Sequence, residues 1–122
     1  MLNTIAFLWI AFSVLQNKPA SDIKIIVDTP KESHCLCGHV RLYGGGDEGG
    51  EGFLVEELTP DFNQVIRSTY TGKKGYFEFP KTSSKEMHYI CVVGEPFYQT
   101  FCYKVKISKK VKKKLIIEMI FK

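Results

Sequence analysis

The chain has 122 residues, a length typical of one domain, and 44% of them are hydrophobic, which is enough to form a small core. A charged fraction of 25% is ordinary for a globular protein and argues against intrinsic disorder. The net charge of +4 is unevenly distributed, because seven lysines lie in residues 104–114 while every charged residue from Asp47 to Asp61 is acidic. The positive charge therefore belongs to one segment.

The chain begins with a hydrophobic segment typical of an export signal. Residues 5–15 (IAFLWIAFSVL) are apolar except for Ser13. This segment is shorter than the roughly 20 residues that span a membrane, but it fits the hydrophobic region of a signal peptide. A polar stretch with a cleavage site near Ala20 follows. We therefore predict a signal peptide over residues 1–20 and an exported protein that does not span the membrane after cleavage; a core strand or helix is the alternative.

Short apolar or alternating segments make up the rest of the chain, separated by clusters of Gly, Pro, Asp, Asn and Ser. They are residues 23–27, 35–43, 52–58, 63–71, 75–80, 88–93, 100–107 and 114–121. Such spacing, without helical periodicity, predicts an all-β fold: a Greek-key β-sandwich of seven to eight antiparallel strands. We place this domain at residues 35–122 and interpret residues 21–34 as a linker or an extra strand.

Three motifs of a known family lie within these segments. The matching positions are Leu36, Gly38 and Val40, then Gly52, Phe53 and Val55, then Thr71, Gly75, Phe77 and Phe79. In this order they resemble the carboxypeptidase regulatory-like (transthyretin-like) β-sandwich family, although Gly72 stands where the family commonly has Asp. The resemblance implies a non-catalytic module that acts in binding or as a scaffold, with a protein, polysaccharide or cell-surface partner.

The third motif also has a physical interpretation. Glycine accepts a positive φ without steric cost, so Gly75 suits a tight turn that leads into a strand. Alternation along that strand places Phe77 and Phe79 on one face and Tyr76 and Glu78 on the other. We predict that the two phenylalanines belong to the core.

The four cysteines are all predicted to lie on the outward faces of their strands, opposite the core face. Around the first two, the core face takes Leu36, Gly38, Val40 and Leu42, and the other face takes Cys35, Cys37, His39 and Arg41. Residues 88–105 predict a hairpin symmetric about the Pro96–Phe97 bond, in which Cys91 is directly opposite Cys102. The family's register would instead turn Cys91 inward. We favour the symmetric hairpin because residues 101–107 then present one clear apolar face.

Disulfides and a metal site are both open interpretations of these cysteines. Opposed residues in a hairpin come within bridging distance, so Cys91–Cys102 is the best single pair among three connectivities. Cys35 and Cys37 make a poor pair in an extended strand, because positions i and i+2 lie near the upper distance limit. The alternative function is a soft-metal carrier with Cys35, Cys37, His39 and either Cys91 or Cys102 as ligands, although this spacing differs from a zinc knuckle.

No catalytic motif stands out. The chain has no G-x-S-x-G, no H-E-x-x-H and no phosphate-binding loop, and it lacks the terminal Tyr-Arg-Gly-Ser of the related hydroxyisourate hydrolases. We interpret the glycine-rich acidic stretch at residues 44–52 (GGGDEGGEG) as a solvated loop. The alternative is weak calcium binding by Asp47, Glu48 and Glu51. His34 and His88 are predicted to be plain surface or core histidines. We therefore expect no enzymatic activity and no cofactor.

The lysine-rich segment allows two interpretations. Lys104 and Lys106 alternate with apolar residues and are predicted to form the solvent-exposed face of a strand. The next four lysines are predicted to lie in the turn before the last strand: Lys109, Lys110, Lys112 and Lys113. They either keep an edge soluble or bind a polyanion, such as acidic polysaccharide or lipid headgroups. Nucleic acid is not expected as a partner, because the chain is predicted to be exported and no aromatic side chains interleave its basic stripe.

Overall fold

The computed structural model describes residues 18–21, 23–45, 47–80 and 86–122, so most of the predicted signal peptide, residues 1–17, lies outside the described residues. The described part of the chain is built of strands, and the all-β prediction is confirmed. The strands are β1 (Ile25–Ser33), β2 (Cys37–Leu42), β3 (Leu54–Leu58), β4 (Val65–Tyr70), β5 (Tyr76–Glu78), β6 (Met87–Val93), β7 (Phe101–Ile107) and β8 (Leu115–Met119). Two short 3-10 helices, Asp47–Gly50 and Lys73–Gly75, lie in the connections.

The strands form two sheets, one of five strands in the order β1-β7-β6-β3-β4 and one of three in the order β5-β2-β8. Most neighbours are antiparallel, but β1 pairs with β7 and β2 pairs with β8 in parallel. The prediction of antiparallel strands throughout is therefore wrong. Turn signals report the direction of strands joined by a short hairpin, whereas these two pairs are far apart in the sequence and no local turn sets their direction.

The main core is shared by the two sheets. The five-stranded sheet contributes Val55, Ile90, Val92, Tyr103 and Val105, and the three-stranded sheet with its flanks contributes Leu36, Val40, Phe77, Phe79, Leu115, Ile117 and Met119. Phe77 and Phe79 are both buried, as their alternation predicts, and their ring centroids lie 6.4 Å apart in an edge-to-face arrangement. Burying one such ring contributes about 2–3 kcal/mol.

A second cluster covers the other face of the five-stranded sheet. It contains Leu58, Phe62, Val65, Cys91 and Cys102, with Ala20 and Tyr89 packed against it. The prediction that Cys91 and Cys102 lie on outward faces is therefore wrong, because this cluster buries both of them. The segment before β1 is tied down here, because Ala20 N donates to Asn63 O at 2.8 Å and Val65 N donates to Lys18 O at 2.8 Å. The cleavage site predicted near Ala20 therefore lies within a structured contact.

Gly75 has the conformation that its motif predicts. Its φ is +74°, and a Cβ at this position would overlap the carbonyl oxygen of Val40. The turn is closed by two backbone hydrogen bonds, from Gly75 N to Gly72 O at 2.9 Å and from Gly72 N to Tyr76 O at 2.8 Å. The backbone thus makes this turn without the side chain that the family commonly has at position 72.

Candidate functional site

Aromatic side chains project from one end of the molecule, where the chain leaves β2, connects β6 to β7 and continues beyond β8. Tyr43 is 71% exposed, Phe97 is 69% exposed and Phe121 is 67% exposed. Exposed aromatic rings this close together are unusual on a protein surface and mark sites of interaction. We define the aromatic end surface as Tyr43, Phe97, Tyr98, Ile120 and Phe121.

Backbone hydrogen bonds hold the segments of the aromatic end surface together. Tyr43 N donates to Met119 O at 2.9 Å, and Lys122 N donates to Phe97 O at 3.1 Å. The rings of Tyr98 and Phe121 are stacked, with centroids 4.5 Å apart and an interplanar angle of 30°. The surface is thus formed by three chain segments that are fixed to one another, so that little conformational entropy is lost when it is covered.

A cavity of about 380 Å³ opens beside these rings. Its lining residues are Leu42, Tyr43, Gly44, Gly45, Tyr98, Met119, Ile120 and Phe121. Met119 is buried at 1% exposure, whereas an added Cβ on Gly44 would touch no atom within 4 Å, so the mouth of the cavity is open. Its volume lies within the range of about 300–1,000 Å³ that small-molecule sites occupy.

The glycine-rich loop that carries the predicted calcium ligands lies next to this end. Asp47 and Glu48 belong to the first 3-10 helix, and Glu51 follows it with its side chain exposed. Thr71 anchors the loop, because its Oγ1 donates to Gly50 O at 2.5 Å and accepts a hydrogen bond from Phe53 N at 2.8 Å. Within the described ranges, no group of three or more His, Cys, Asp or Glu side chains is placed to hold a metal ion.

The structure pairs the cysteines within each half of the sequence. Cys91 is bonded to Cys102 in the β6–β7 hairpin, with 4.0 Å between their Cα atoms, and Cys35 is bonded to Cys37 with 5.2 Å between theirs. The expectation that Cys35 lies in an extended strand is wrong, because residues 34–36 form a bend and β2 begins at Cys37. The bend arises where His34 N donates to Lys113 O and Leu36 O accepts from Phe79 N, two different neighbouring segments.

The ligand set of the predicted metal carrier is not assembled. Cys37 and His39 lie on the face of β2 that is turned away from the main core, and Cys91 and Cys102 lie on the far face of the other sheet. The main core therefore separates the two groups. The His39 ring contacts Tyr76, with centroids 5.2 Å apart, and its Nδ1 lies 3.1 Å from the carbonyl oxygen of residue 74.

A buried ionic cluster, which the sequence did not reveal, lies at the margin of the main core. Glu57 is 8% exposed, and both of its carboxylate oxygens are engaged. Arg67 Nε donates to Oε1 at 2.6 Å, and His88 Nδ1 lies 2.7 Å from Oε2. Arg67 also donates to Pro80 O at 2.8 Å and lies over the ring of Phe79. The sequence feature that indicates a buried carboxylate is the pair of consecutive acids in the apolar strand LVEEL, because alternation must turn one of them inward.

Two further ionisable side chains, Glu56 and Tyr103, are buried. Glu56 points to the opposite side of β3 from Glu57 and is 6% exposed, with Lys18 Nζ 3.8 Å from its Oε2. Burial raises the pKa of Glu56, while the charges of Lys18 and Lys24 act in the lowering direction. Burial, together with the charge of Glu118, raises the pKa of Tyr103 to about 12. Burial thus disfavours the charged form of both groups.

The lysines predicted to bind a polyanion occupy the β7–β8 connection, residues 108–114. All four are exposed: Lys109, Lys110, Lys112 and Lys113. The connection is fixed at both ends, since Ser108 N donates to Ser33 O at 2.9 Å and His34 N donates to Lys113 O at 2.9 Å. Four ammonium groups are therefore presented on a short, anchored loop.

In comparisons with known proteins, the chain matches no family model, no curated protein and no solved structure. Among the described residues, there is no helix with the length and hydrophobicity needed to cross a membrane.

Proposed function

We propose that the protein is a non-catalytic binding module that engages a protein partner through the aromatic end surface. The observation that carries this proposal is the exposure of Tyr43, Phe97 and Phe121 by more than two thirds on one fixed surface. Tyrosine and phenylalanine are enriched at the centres of protein interfaces, where they lose little side-chain entropy on binding.

The surroundings of the rings fit the anatomy of such an interface. The cavity beside Tyr43 and Phe121 has room for an apolar side chain of the partner, and anchors that fill a pocket dominate binding energy. An ion pair between Lys122 and Glu95 lies next to Phe97, where it supplies part of a polar rim. An apolar centre with a charged border distinguishes a binding surface from scattered exposed residues.

The fold and the compartment form part of the same proposal. We propose that the two sheets form a Greek-key sandwich of the carboxypeptidase regulatory-like family, which the turn at Gly75 and the buried Leu36, Val40, Phe77 and Phe79 support. We propose export because the N-terminal hydrophobic segment has the length of a signal peptide and because paired cysteines persist in oxidising compartments.

The absence of catalysis is inferred from the buried ionic cluster. Glu57 with His88 has the appearance of an acid–base pair, but the second oxygen of the carboxylate is held by Arg67, and the group lies at the margin of the main core. Such a cluster stabilises the position of three side chains. It does not orient a reacting group toward a substrate.

Site-specific photo-crosslinking tests the protein-partner proposal. A photoreactive phenylalanine analogue is placed at Phe121 and, as a control, at Tyr70, which is 66% exposed but lies on β4. Crosslinking is carried out on the cells that produce the protein, and the captured partner is identified and purified. The Kd of this partner is then measured calorimetrically for the wild type, Tyr43→Ser, Phe121→Ser and Tyr70→Ser.

We expect Tyr43→Ser and Phe121→Ser each to weaken binding about tenfold or more, as loss of an aromatic anchor does. Tyr70→Ser should change the Kd less than about twofold, because scattered surface residues contribute little. Equal crosslinking yields at positions 121 and 70, or a Kd that is insensitive to both aromatic substitutions, would contradict the proposal.

A further inference from the structure

A cleft opens between β1 and β8, which are edge strands of the two different sheets. Its volume is about 490 Å³. Its lining residues are Val27, Thr29, Pro30, Lys31, Glu32, Lys113, Lys114, Leu115 and Ile116. We call it the edge cleft. It shares no residue with the aromatic end surface, so the two features are independent.

The edge cleft exists because β1 departs from β7 in its middle. Val27 pairs with Tyr103 and Lys31 pairs with Val105, so four steps along β1 correspond to two along β7. Pro30 lies within this irregular stretch, and proline cannot donate a hydrogen bond to the neighbouring strand. The extra residues leave the line of the sheet, and space remains between them and β8.

The walls of the edge cleft are partly apolar. Val27 packs against the main core, and Leu115 is buried at 2% exposure. Ile116 is 44% exposed, so a large aliphatic side chain is available to a ligand on the β8 side. An alkyl chain that covers these groups would remove apolar surface from water on both sides.

Lys31 supplies a fixed positive charge inside the cleft. The side chain is half-buried, and its Nζ lies 5.3 Å from the ring centroid of Tyr103, which is 6% exposed. Within the part of the chain that the structure describes, none of the ion pairs includes Lys31. A partly desolvated ammonium gains when an anion is brought next to it.

The remaining charged residues favour an anion. Lys113 and Lys114 lie on the β8 side of the cleft, and both side chains are exposed. Lys114 Nζ lies 4.9 Å from the ring centroid of Tyr76, so its position is restricted. Glu32 is the one acid of the lining, and alternation along β1 turns it to the face opposite Lys31. The charge of the cleft is therefore positive around Lys31.

We propose that the edge cleft binds an unbranched alkyl carboxylate, with its carboxylate on Lys31 and its chain against Val27 and Ile116. The volume lies within the usual range for small ligands, and an apolar wall beside the half-buried ammonium of Lys31 matches an amphipathic monoanion. The second charge of a phosphate would have to rely on the exposed side chains of Lys113 and Lys114, and ion pairs of exposed side chains contribute little.

The binding test uses full-length 15N-labelled protein and NMR titration with decanoate. We expect saturable shifts confined to the amides of residues 27–29, 31, 32 and 113–116. Octanoate should bind about fivefold more weakly or worse, since each buried methylene contributes about 0.8 kcal/mol. Butyrate tests the head group alone and should not saturate, and 1-decanol tests the uncharged chain and should bind at least about fivefold more weakly than decanoate.

Two variants separate the charge from the apolar wall. Lys31→Met should raise the Kd of decanoate at least about fivefold and leave that of 1-decanol unchanged, whereas Lys31→Arg should retain binding. Lys109→Met, an exposed lysine outside the cleft, is the control. Ile116→Ser should weaken both ligands and keeps the test valid if Lys31→Met does not fold. Shifts that centre on the aromatic end surface, equal losses with Lys109→Met, tighter binding of decyl phosphate, or no saturation by decanoate would overturn the proposal.

Discussion

Cys91 lies directly opposite Cys102, with 4.0 Å between their Cα atoms, and their disulfide is buried in the second cluster together with Phe62. The neighbouring residues on β6 and β7, among them Ile90 and Tyr103, turn to the other side and enter the main core. This disulfide therefore fastens together two strands that carry both clusters. Its position links the hairpin turn to the packing of the whole five-stranded sheet.

We expect Cys91→Ala/Cys102→Ala to lower the free energy of unfolding by about 3 kcal/mol, because the bond closes a loop between residues 11 positions apart. Urea denaturation measures the loss. Cys35→Ala/Cys37→Ala is the matched control and should cost less, since the two cysteines are separated by 2 positions. Mass spectrometry of non-reduced peptides should find Cys91 linked to Cys102; a link from either residue to Cys35 or Cys37 would contradict this pairing.

Gly75 and Gly44 provide a second matched pair, since both have a φ of +74°. At Gly75 an added Cβ would overlap the backbone of Val40, whereas at Gly44 it would meet no atom. Gly44→Ala should therefore lower the free energy of unfolding by about 1 kcal/mol, because alanine is strained only by the left-handed conformation. Gly75→Ala should lower it by at least about 2 kcal/mol more. Thermal unfolding of both variants checks this. Equal losses would show that the close approach to Val40 is not a constraint.

The local part of the fold could be predicted from the sequence. Eight strand segments were expected, and each overlaps one strand of the structure, although β1 continues six residues beyond its predicted segment. The symmetric hairpin gave the register that places Cys91 opposite Cys102, because a short connection leaves few alternatives. Alternation likewise placed Phe77 and Phe79 in the core. These successes share one cause: each depends on residues that are close in the sequence.

The failures involve contacts between distant segments. The parallel direction of β1 and β8 depends on neighbours far away in the chain. The bend at Cys35 depends on hydrogen bonds from His34 to Lys113 and from Phe79 to Leu36. The aromatic end surface was also missed, because Tyr43 and Phe121 become neighbours only when β2 and β8 pair. Neither composition nor periodicity contains this information.

Removal of the Glu57 carboxylate should be costly. Its two oxygens bind Arg67 and His88 at the margin of the core. In Glu57→Ala both of these side chains lose their carboxylate partner. We expect a loss of about 3 kcal/mol in the free energy of unfolding. Glu51→Ala, at an exposed position in the glycine-rich loop, should change it by less than about 0.5 kcal/mol. If denaturation curves showed equal effects, the cluster would not contribute to stability.

The lysines of the β7–β8 connection are expected to bind polyanions if their charge has a function. Gln substitution of Lys109, Lys110, Lys112 and Lys113 should then lower the salt concentration needed to elute the protein from a polyanion resin. A control removes the same charge elsewhere, at Lys24, Lys73, Lys74 and Lys106. Equal shifts for both variants would show that net charge alone governs retention, and unchanged elution would leave the lysines with a role in solubility.

Glu56 should make the protein less stable as the pH rises from acid toward neutrality. Burial raises its pKa in the folded state above the ordinary value of 4.5, so the unfolded chain releases the proton first. The contribution of Glu56 to the free energy of unfolding is thus most favourable below pH 4.5, and it is lost as the pH rises through the folded-state pKa. Glutamine does not titrate, and Glu56→Gln should unfold at a higher temperature than the wild type at pH 7.

The difference between the wild type and Glu56→Gln should become small at pH 4, below the ordinary pKa of 4.5, because Glu56 is then mostly protonated in both states. In the uncleaved chain, which retains Lys18, the variant Lys18→Met tests the same argument from the other side. Because the Lys18 charge acts to lower the pKa of Glu56, its removal should increase the loss of stability on going to pH 7. Thermal unfolding at pH 4, 5.5 and 7 measures all three proteins. A Glu56→Gln variant that is less stable than the wild type at pH 7 would mean that attraction to Lys18 outweighs the cost of burial.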